Sequence, residues 1–154
     1  MLPLIFLMAQ CVFTPPAGWQ TADPKMPSKR AIVGFIDKRV HGFCPSLNLT
    51  HEQTPMSLEE YLLTVERSCR VKKQSWKHLG KIQTQAGPAE LVEIEVQTKF
   101  GPARLVQAIL KSEKDIWILT GGALKKDFGK QASLFEQTFR SMTLCDVGKK
   151  SEAH

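Results

Sequence analysis

Apolar and polar residues alternate with a period of two through the second half of the chain. The clearest run is 89–99, where Val92, Ile94 and Val96 alternate with glutamate and glutamine. This alternation is typical of a strand with one covered and one solvated face. Strands are also predicted at 76–83, 104–111 and 116–120, and turn residues separate them into an antiparallel meander. The Gly121-Gly122 pair is predicted to end the last strand in a loose turn.

The first half of the chain carries shorter strand patterns. Strands are predicted at 12–14, 31–36 and 47–52 from their apolar, β-branched or alternating residues. The stretch 14–30 holds four of the nine prolines, and proline lacks the backbone donor that a ladder needs. That stretch is therefore predicted to be an irregular surface run.

Two segments change to the spacing of an amphipathic helix. Ser57-Leu-Glu-Glu60 is a capping-box sequence, and the helix that it opens is predicted to end near Lys72. Asp127 is predicted to cap the second helix. The apolar faces consist of Leu58, Tyr61, Leu62, Val65 and Cys69 in the first helix, and of Phe128, Gln131, Ala132, Phe135, Phe139 and Met142 in the second.

These elements predict an α+β domain: a twisted antiparallel sheet of about six to seven strands with two principal helices packed on it. Both apolar helix faces, led by Leu62 and Phe135, are predicted to cover the same side of the sheet. The other side would then be available to a partner. The predicted divisions are an apolar leader or flap at 1–11, one domain at 12–145 and a polar tail at 146–154.

Composition narrows the class of protein. The chain has 154 residues with 42% apolar and 23% charged residues, which is typical of one globular domain. Its 21 basic and 15 acidic residues give a net charge of +6. The basic residues are scattered doublets rather than a stripe interleaved with aromatic residues, so no nucleic-acid partner is predicted.

The segment 1–11 is apolar and has no charged residue. An export signal would also show basic residues and a small-residue cleavage site, and Gln10 stands where a lipoprotein signal prefers Gly, Ala or Ser. Cys11 is the candidate lipid attachment, and membrane association through this leader is one prediction. The alternatives are a buried strand or flap, and a leader whose start lies further upstream. The cell envelope or periplasm is favoured narrowly over the cytoplasm, and both stay open.

No catalytic or metal-binding motif is found. The four cysteines Cys11, Cys44, Cys69 and Cys145 show no zinc spacing. They are predicted to be buried thiols, with one disulfide admitted if the chain is exported. No cofactor, no metal and no enzymatic activity are predicted.

The most suggestive polar residues have structural explanations. His51 and Glu52 are neighbours in a predicted strand and must point to opposite faces; an exposed histidine and a solvated glutamate are expected. Glu93 and Glu95 lie about 7 Å apart on one strand face, where solvated side chains are expected. An enzyme with an unrecognised site around Cys44, His51 or His78 is the less favoured alternative.

Three tryptophans are candidate anchors for a protein partner, because tryptophan offers a large contact area at low entropic cost. Trp19 and Trp117 are equally well explained as core residues. Trp76, between Ser75 and Lys77, is the predicted partner-binding residue.

Several short motifs follow one another in a particular order. They are Pro16-Ala-Gly-Trp19, the run Phe43-Cys-Pro-Ser-Leu-Asn-Leu-Thr-His-Glu52, Ser57 to Tyr61, Gly87 with Ala89-Glu-Leu91, Gln107-Ala-Ile, Ile118-Leu-Thr120, and the closing helix from Phe135 to Met142. Their order resembles the PsbP-like superfamily, which includes the photosystem extrinsic protein, a Ran-binding nuclear import factor and bacterial DcrB-like lipoproteins. The resemblance spans about residues 12–144.

This resemblance implies a non-catalytic binding or assembly protein of the bacterial cell envelope. A cytoplasmic secretion-effector chaperone of the same fold is the alternative, and it would present an apolar groove. A protein partner is expected in both cases, and the oligomeric state stays open, a dimer included. Because a fold hosts many functions, the inference is one of analogy.

Overall fold

The computed structural model describes residues 9–22 and 31–146. In this part the strands are β1 (Ala9–Val12), β2 (Gln20–Thr21), β3 (Ala31–Ile36), β4 (Ser46–Gln53), β5 (Ser75–Thr84), β6 (Gly87–Thr98), β7 (Gly101–Ser112), β8 (Asp115–Leu124) and β9 (Thr143–Asp146). The helices are α1 (Leu58–Val71), between β4 and β5, and α2 (Phe128–Arg140), between β8 and β9.

Seven strands form one sheet in the order β2-β3-β4-β8-β7-β6-β5, and every neighbouring pair is antiparallel. Strands β1 and β9 form a separate antiparallel ribbon. The predicted α+β class, the sheet of six to seven strands and the four-strand meander from β5 to β8 are confirmed.

The two helices lie on opposite faces of the sheet. Leu62 of α1 packs with Ile116 and Ile118 of β8, whereas Phe135 of α2 packs with the intervening Trp117 and Leu119. Successive side chains of a strand point to opposite faces. The prediction that both helices cover one face, which leaves the other for a partner, is therefore wrong. We refer to the two sides as the α1 face and the α2 face.

The central strand explains this arrangement. Ile116, Ile118 and Leu119 are buried, as is Trp117 between them, so β8 is apolar on both sides. A strand covered on both faces reads as a continuous apolar run rather than as an alternation. Helix α1 covers one face of β8, and helix α2 covers the other.

Helix α1 forms as its sequence predicts. The Ser57 hydroxyl accepts a hydrogen bond from the Glu60 amide at 3.1 Å, and Lys72 follows the last helical residue. Its predicted apolar residues all belong to the cluster on the α1 face. The Tyr61 hydroxyl also donates to Glu52 at 2.7 Å, which ties the start of the helix to the end of β4.

Helix α2 begins at the predicted position, but the predicted cap is wrong. Asp127 has helical backbone angles and makes no capping hydrogen bond with its side chain. Met142, predicted on the helical face, lies beyond the last helical residue and is fully buried.

The predicted turn at Gly121-Gly122 is also wrong, because β8 continues through both glycines to Leu124. A Cβ atom at Gly121 would lie 2.7 Å from the ring of Phe135. A Cβ atom at Gly122 would lie 2.8 Å from Leu105 on the other face. The glycines let side chains pack against the backbone of the strand from both sides.

The first strand lies earlier than predicted, because it begins at Ala9 and ends at Val12 instead of covering 12–14. Its partner β9 is a strand that the sequence did not predict. Residues 1–8, most of the predicted leader, and 147–154, most of the predicted tail, lie outside the described residues. The domain limits of 12–145 stay a prediction.

Within residues 9–22 and 31–146, neither helix has the length and apolar character that crossing a bilayer would require.

Candidate functional site

Trp76, the predicted partner-binding residue, lies on the outermost strand of the sheet. Its side chain is half-buried on the α1 face, beside Ile94 and α1. Its indole stacks on the ring of His78 with centroids 6.2 Å apart. The indole nitrogen is buried and has no hydrogen-bond partner among the described residues. The role of Trp76 in binding stays a prediction.

Next to Trp76, an acidic side chain is held between two basic ones. Glu90 of β6 accepts from His78 Nε2 at 2.7 Å, and Lys81 Nζ lies 3.9 Å from its other oxygen. His78 is exposed, while the Glu90 side chain is only 12% exposed. These contacts tie β5 to β6 at the edge of the sheet.

His51 and Glu52 point to opposite faces, as predicted, but the expectation that both are solvated is wrong. The His51 ring stacks on Trp117 at a centroid distance of 4.1 Å, and its Nε2 lies 2.7 Å from Asp115 Oδ1. Glu52 is half-buried and accepts from Tyr61. Both side chains serve packing.

Cys44, His51 and His78 do not form one site. Cys44 lies in the loop before β4, where its thiol contacts the Val40 carbonyl at 3.3 Å. His51 is on the α2 face of β4, whereas His78 is on the α1 face of β5. Three strands separate β4 from β5, which corresponds to roughly 19 Å. The alternative of an enzyme based on these three residues gains no support from their positions.

Glu93 and Glu95 share the α2 face of β6 and are bound by cations. Arg104 Nε lies 3.4 Å from Glu93 Oε1, and its Nη2 lies 3.1 Å from Glu95 Oε1. Lys125 Nζ lies 3.1 Å from the same Glu95 oxygen. Hydrogen bonds from Lys125 and then Arg104 lower the pKa of Glu95. The expectation of freely solvated carboxylates is wrong, and the pair is not arranged as a general acid and base.

Cys11, the predicted lipid attachment, is 5% exposed and packs in the α2-face core. Burial, and then the nearby Cys145, raises the pKa of its thiol to about 12. A lipid on this sulfur would require β1 to leave β9, so the attachment stays a prediction that needs a rearranged start of the domain.

The described cysteines are all free thiols: Cys11, Cys44, Cys69 and Cys145. Cys11 and Cys69 are buried, as expected of thiols that pack as small apolar groups. Cys145 is exposed, which differs from the prediction. In the described part of the chain, no group of three or more histidine, cysteine or acidic residues could hold a metal ion.

A polar row crosses the α1 face beside α1. Asn48, Thr120 and Gln107 are register partners on β4, β8 and β7. Gln107 donates to the Thr120 hydroxyl at 3.3 Å, whereas Asn48 Oδ1 is buried without a hydrogen-bond partner among the described residues. These contacts place the motif residue Asn48 in the middle of the sheet.

An apolar groove, which the sequence did not predict, lies between α2 and the edge strand β5. Its volume is about 300 Å³. The floor consists of Ile82, Leu91 and Val106, and the helical wall is formed mainly by Phe128, Ala132, Phe135, Glu136, Phe139 and Arg140. Leu79 and Lys81 of β5 form the outer rim. We call this feature the α2–β5 groove.

The architecture matches solved structures over most of the chain. The cyanobacterial PsbP protein CyanoP from Synechocystis sp. PCC 6803 superposes with a TM-score of 0.62 at 12% identity, covering 94% of this chain and 97% of CyanoP. LpqN of Mycobacterium tuberculosis gives a TM-score of 0.62 at 9% identity, covering 89% and 84%. The chain has the PsbP-like fold.

The Ran-binding protein Mog1p of Saccharomyces cerevisiae has the same PsbP-like architecture, with a TM-score of 0.59 at 17% identity and coverage of 94% and 98%. Neither the scan against family models nor the search of curated proteins gives a match. At these identities the likeness establishes the fold.

Two predicted PsbP-like motifs have clear structural positions. In the first, the Trp19 amide donates to the Pro16 carbonyl at 3.3 Å, and the indole packs edge-on against Phe135. In the second, Leu47 and Leu49 of β4 enter the α2-face core, while Glu52 binds Tyr61 of α1 on the other face. Trp19 and Trp117 are both core residues, which leaves Trp76 as the candidate anchor.

Proposed function

We propose that this protein acts in the bacterial cell envelope by binding another protein, without catalysing a reaction. The observation that carries the proposal is the PsbP-like fold across nearly the whole chain. Among the structures of this fold, LpqN is involved in cell envelope biogenesis and Mog1p binds Ran. Mog1p is thus a protein of this fold that binds another protein, and the proposal extends this property to the present chain by analogy of fold.

The polar residues support binding rather than catalysis. His51, His78 and the Glu93–Glu95 pair each have a partner within the sheet. His51 and His78 lie on different strands and on opposite faces of the sheet, so the two histidines cannot act on one substrate as a general acid and base. The proposal assigns these contacts to holding the scaffold rigid, with binding left to the surface.

In this proposal Trp76 is one anchor of the partner surface. Its ring is half-buried, and its position next to the open edge of β5 allows a partner to cover the rest of it. Its indole nitrogen is buried without a described partner, so the exposed part of the ring is the surface that a partner would contact. Tryptophan is among the residues that contribute most to binding energy at interfaces.

The experiment is cross-linking in native cells with the full chain, compared between wild type, Trp76→Phe and Trp117→Phe. Wild type is expected to give a discrete protein adduct, and Trp76→Phe to weaken it. Trp117→Phe is the matched control, because its indole nitrogen is also buried without a described partner but lies in the core. Repeated absence of a protein adduct in wild type would contradict the proposal.

A cytoplasmic secretion chaperone is the second candidate, and the α2–β5 groove is the observation that favours it. Such a chaperone needs an apolar groove for its client. Cell fractionation with determination of the mature N-terminal residue separates the two candidates. A processed envelope species supports the first, and an uncleaved cytoplasmic chain supports the second.

A further inference from the structure

Among residues 9–22 and 31–146, no strand pairs with the outer edge of β5, which is open over most of its length. In the seven-stranded sheet β5 has a neighbour on one side only, so about half of its backbone amides and carbonyls point away from β6. At its C-terminal end, the Gln83 carbonyl accepts from Arg140 and the Gln85 amide donates to the Arg140 carbonyl. The open part is therefore the segment 75–82.

The α2–β5 groove lies directly beside this open edge. Leu79 forms its outer rim and is 41% exposed. A bulge between His78 and Gly80 interrupts the regular pairing with β6 at this point, which sets Leu79 apart from the alternation of the strand. A groove between an edge strand and a helix is one of the recurring places where an extended peptide adds to a sheet.

The charge of the edge decides which peptide fits. Strand β5 contains Lys77, His78 and Lys81 and no acidic residue. Lys77 and Lys81 are exposed. Arg140, at the closed end of the groove, is paired with Glu136 of the helical wall, whose Oε1 lies 2.8 Å from Arg140 Nη2. The positive charge of the edge therefore comes from the two lysines. The glutamates of β6 opposite β5 are Glu90, Glu93 and Glu95. Their side chains are 12–25% exposed, and each lies near a lysine or arginine nitrogen, at 3.1–3.9 Å. An acidic peptide would therefore be attracted to this edge.

The same charges disfavour a second copy of the chain. If two β5 strands paired antiparallel about Leu79, Lys77 of one copy would face Lys81 of the other. Like charges directly opposite in a sheet are destabilising, and edge lysines are a common protection against self-pairing. The lysines of β5 therefore disfavour pairing with β5 of a second copy and favour pairing with an acidic strand.

We infer that β5 and the α2–β5 groove bind an extended acidic segment of a protein partner, which adds as a strand and inserts one apolar side chain between α2 and Leu79. This inference rests on the proposed binding function and names the chemistry of the partner. The groove volume of about 300 Å³ is of the size that holds apolar side chains or a small ligand.

The test uses the full chain and a displayed library of random peptides of about ten residues, the length of β5. Selected peptides are expected to share an apolar residue with acidic residues on both sides. They are expected to shift the amide resonances of 75–82. Failure to enrich any peptide, or enrichment of basic sequences, would overturn the inference.

Two pairs of variants locate the site. Ala132→Trp fills the groove from an exposed position on α2, whereas Ser133→Trp adds the same bulk at the next exposed position outside it. Lys81→Glu reverses the charge of the edge, and Lys126→Glu makes the same change in the exposed β8–α2 loop. Ala132→Trp and Lys81→Glu should each weaken the selected peptides by about tenfold or more, while both controls bind as wild type. Equal binding by Ala132→Trp and Ser133→Trp would overturn the inference.

Cross-linking in native cells separates this inference from the proposed function. If Ala132→Trp keeps the partner adduct of wild type, the chain binds a protein elsewhere and only the groove inference fails. If wild type itself gives no adduct, the proposed function fails. A fatty acid found in the groove by native mass spectrometry, or dimers abolished by Ala132→Trp, would also overturn the peptide assignment.

Discussion

The ring of Phe135 occupies the space that a side chain at residue 121 would need: a Cβ atom on Gly121 would lie 2.7 Å from Phe135 Cδ1. Phe135 is almost fully buried at the middle of α2. The contact lets the helix approach the backbone of β8 directly. It thereby fixes the height of α2 above the sheet and the depth of the α2–β5 groove.

Replacing Gly121 with alanine should therefore destabilise the protein. The added methyl group would force Phe135 away from β8 and disturb a close-packed core, at a cost of about 1–3 kcal/mol. Chemical denaturation of Gly121→Ala and wild type measures the difference in the free energy of unfolding.

Gly129→Ala is the control for this prediction. Gly129 is an exposed residue of α2, and a Cβ atom there would meet nothing within 4 Å. Alanine is the better helix former, so this change should stabilise by about 0.5–1 kcal/mol. A Gly121→Ala protein as stable as wild type would show that α2 does not rest on β8 as described.

Lowering the pH should destabilise the protein, in part because the Glu95 carboxylate becomes protonated. Lys125 and Arg104 hold the pKa of this carboxyl below its ordinary value of 4.5. A carboxyl whose pKa is lowered by folding contributes stability above its unfolded pKa and loses it as the pH falls through the folded pKa. Wild type should therefore lose stability below about pH 5, and Glu95→Gln should lose less over the same window.

Thermal unfolding between neutral and acidic pH measures this difference. Glu113→Gln is the matched control, since Glu113 lies exposed in the turn between β7 and β8. Its curve of Tm against pH should follow that of wild type. Parallel acid curves for Glu95→Gln and wild type would contradict the assigned role of the ion pairs.

The thiols of Cys11 and Cys145 should differ widely in reactivity. Burial and the nearby Cys145 raise the pKa of Cys11 from 9.0 to about 12, which lowers its thiolate fraction about a thousandfold near neutral pH. Iodoacetamide should thus modify the exposed Cys145 in the native protein and Cys11 only after unfolding. Peptide mapping by mass spectrometry distinguishes the two sites.

This measurement also bears on lipid attachment. If Cys11 reacts as fast as Cys145, β1 leaves β9 in the native protein, and the sulfur becomes accessible to acylation. If Cys11 is protected, a lipid on it requires a form of the protein that lacks the β1–β9 pairing. Cys69 serves as an internal control, because burial raises the pKa of its thiol as well.

The sequence predicts the features that depend on neighbouring residues within one helix or strand. The 3.6-residue spacing identifies the buried face of α1, including Tyr61 and Cys69, because a helix in water must cover its apolar stripe. Alternation likewise identifies Val92 and Ile94 as the covered side of β6. In both cases the pattern predicts which side chains are buried, but it does not predict which element covers them.

What the sequence did not predict depends on contacts between distant residues. The two glycines of β8 resemble a local break, and their contacts with Phe135 and Leu105 appear only when the chain is folded. Strand β9 is four residues long and pairs with the opposite end of the chain. Leu79 forms the outer rim of the α2–β5 groove. Because it lies in a bulge, it does not follow the apolar–polar alternation from which strands are predicted.

Because the two helices cover opposite sides of the sheet, mutations in their two cores should act independently. Leu62 and Phe135 belong to separate cores divided by the sheet, so they share no partner. Leu62→Ala and Phe135→Leu should each lower the free energy of unfolding by about 1–3 kcal/mol, and the double variant should show their sum within about 0.5 kcal/mol.

Phe128→Leu with Phe135→Leu is the comparison pair, because these rings lie 5.7 Å apart and the effects of mutations at contacting residues are not additive. Coupling between the Leu62 and Phe135 variants as strong as in that pair would place both helices in one core, and the groove beside α2 would then have to be assigned anew.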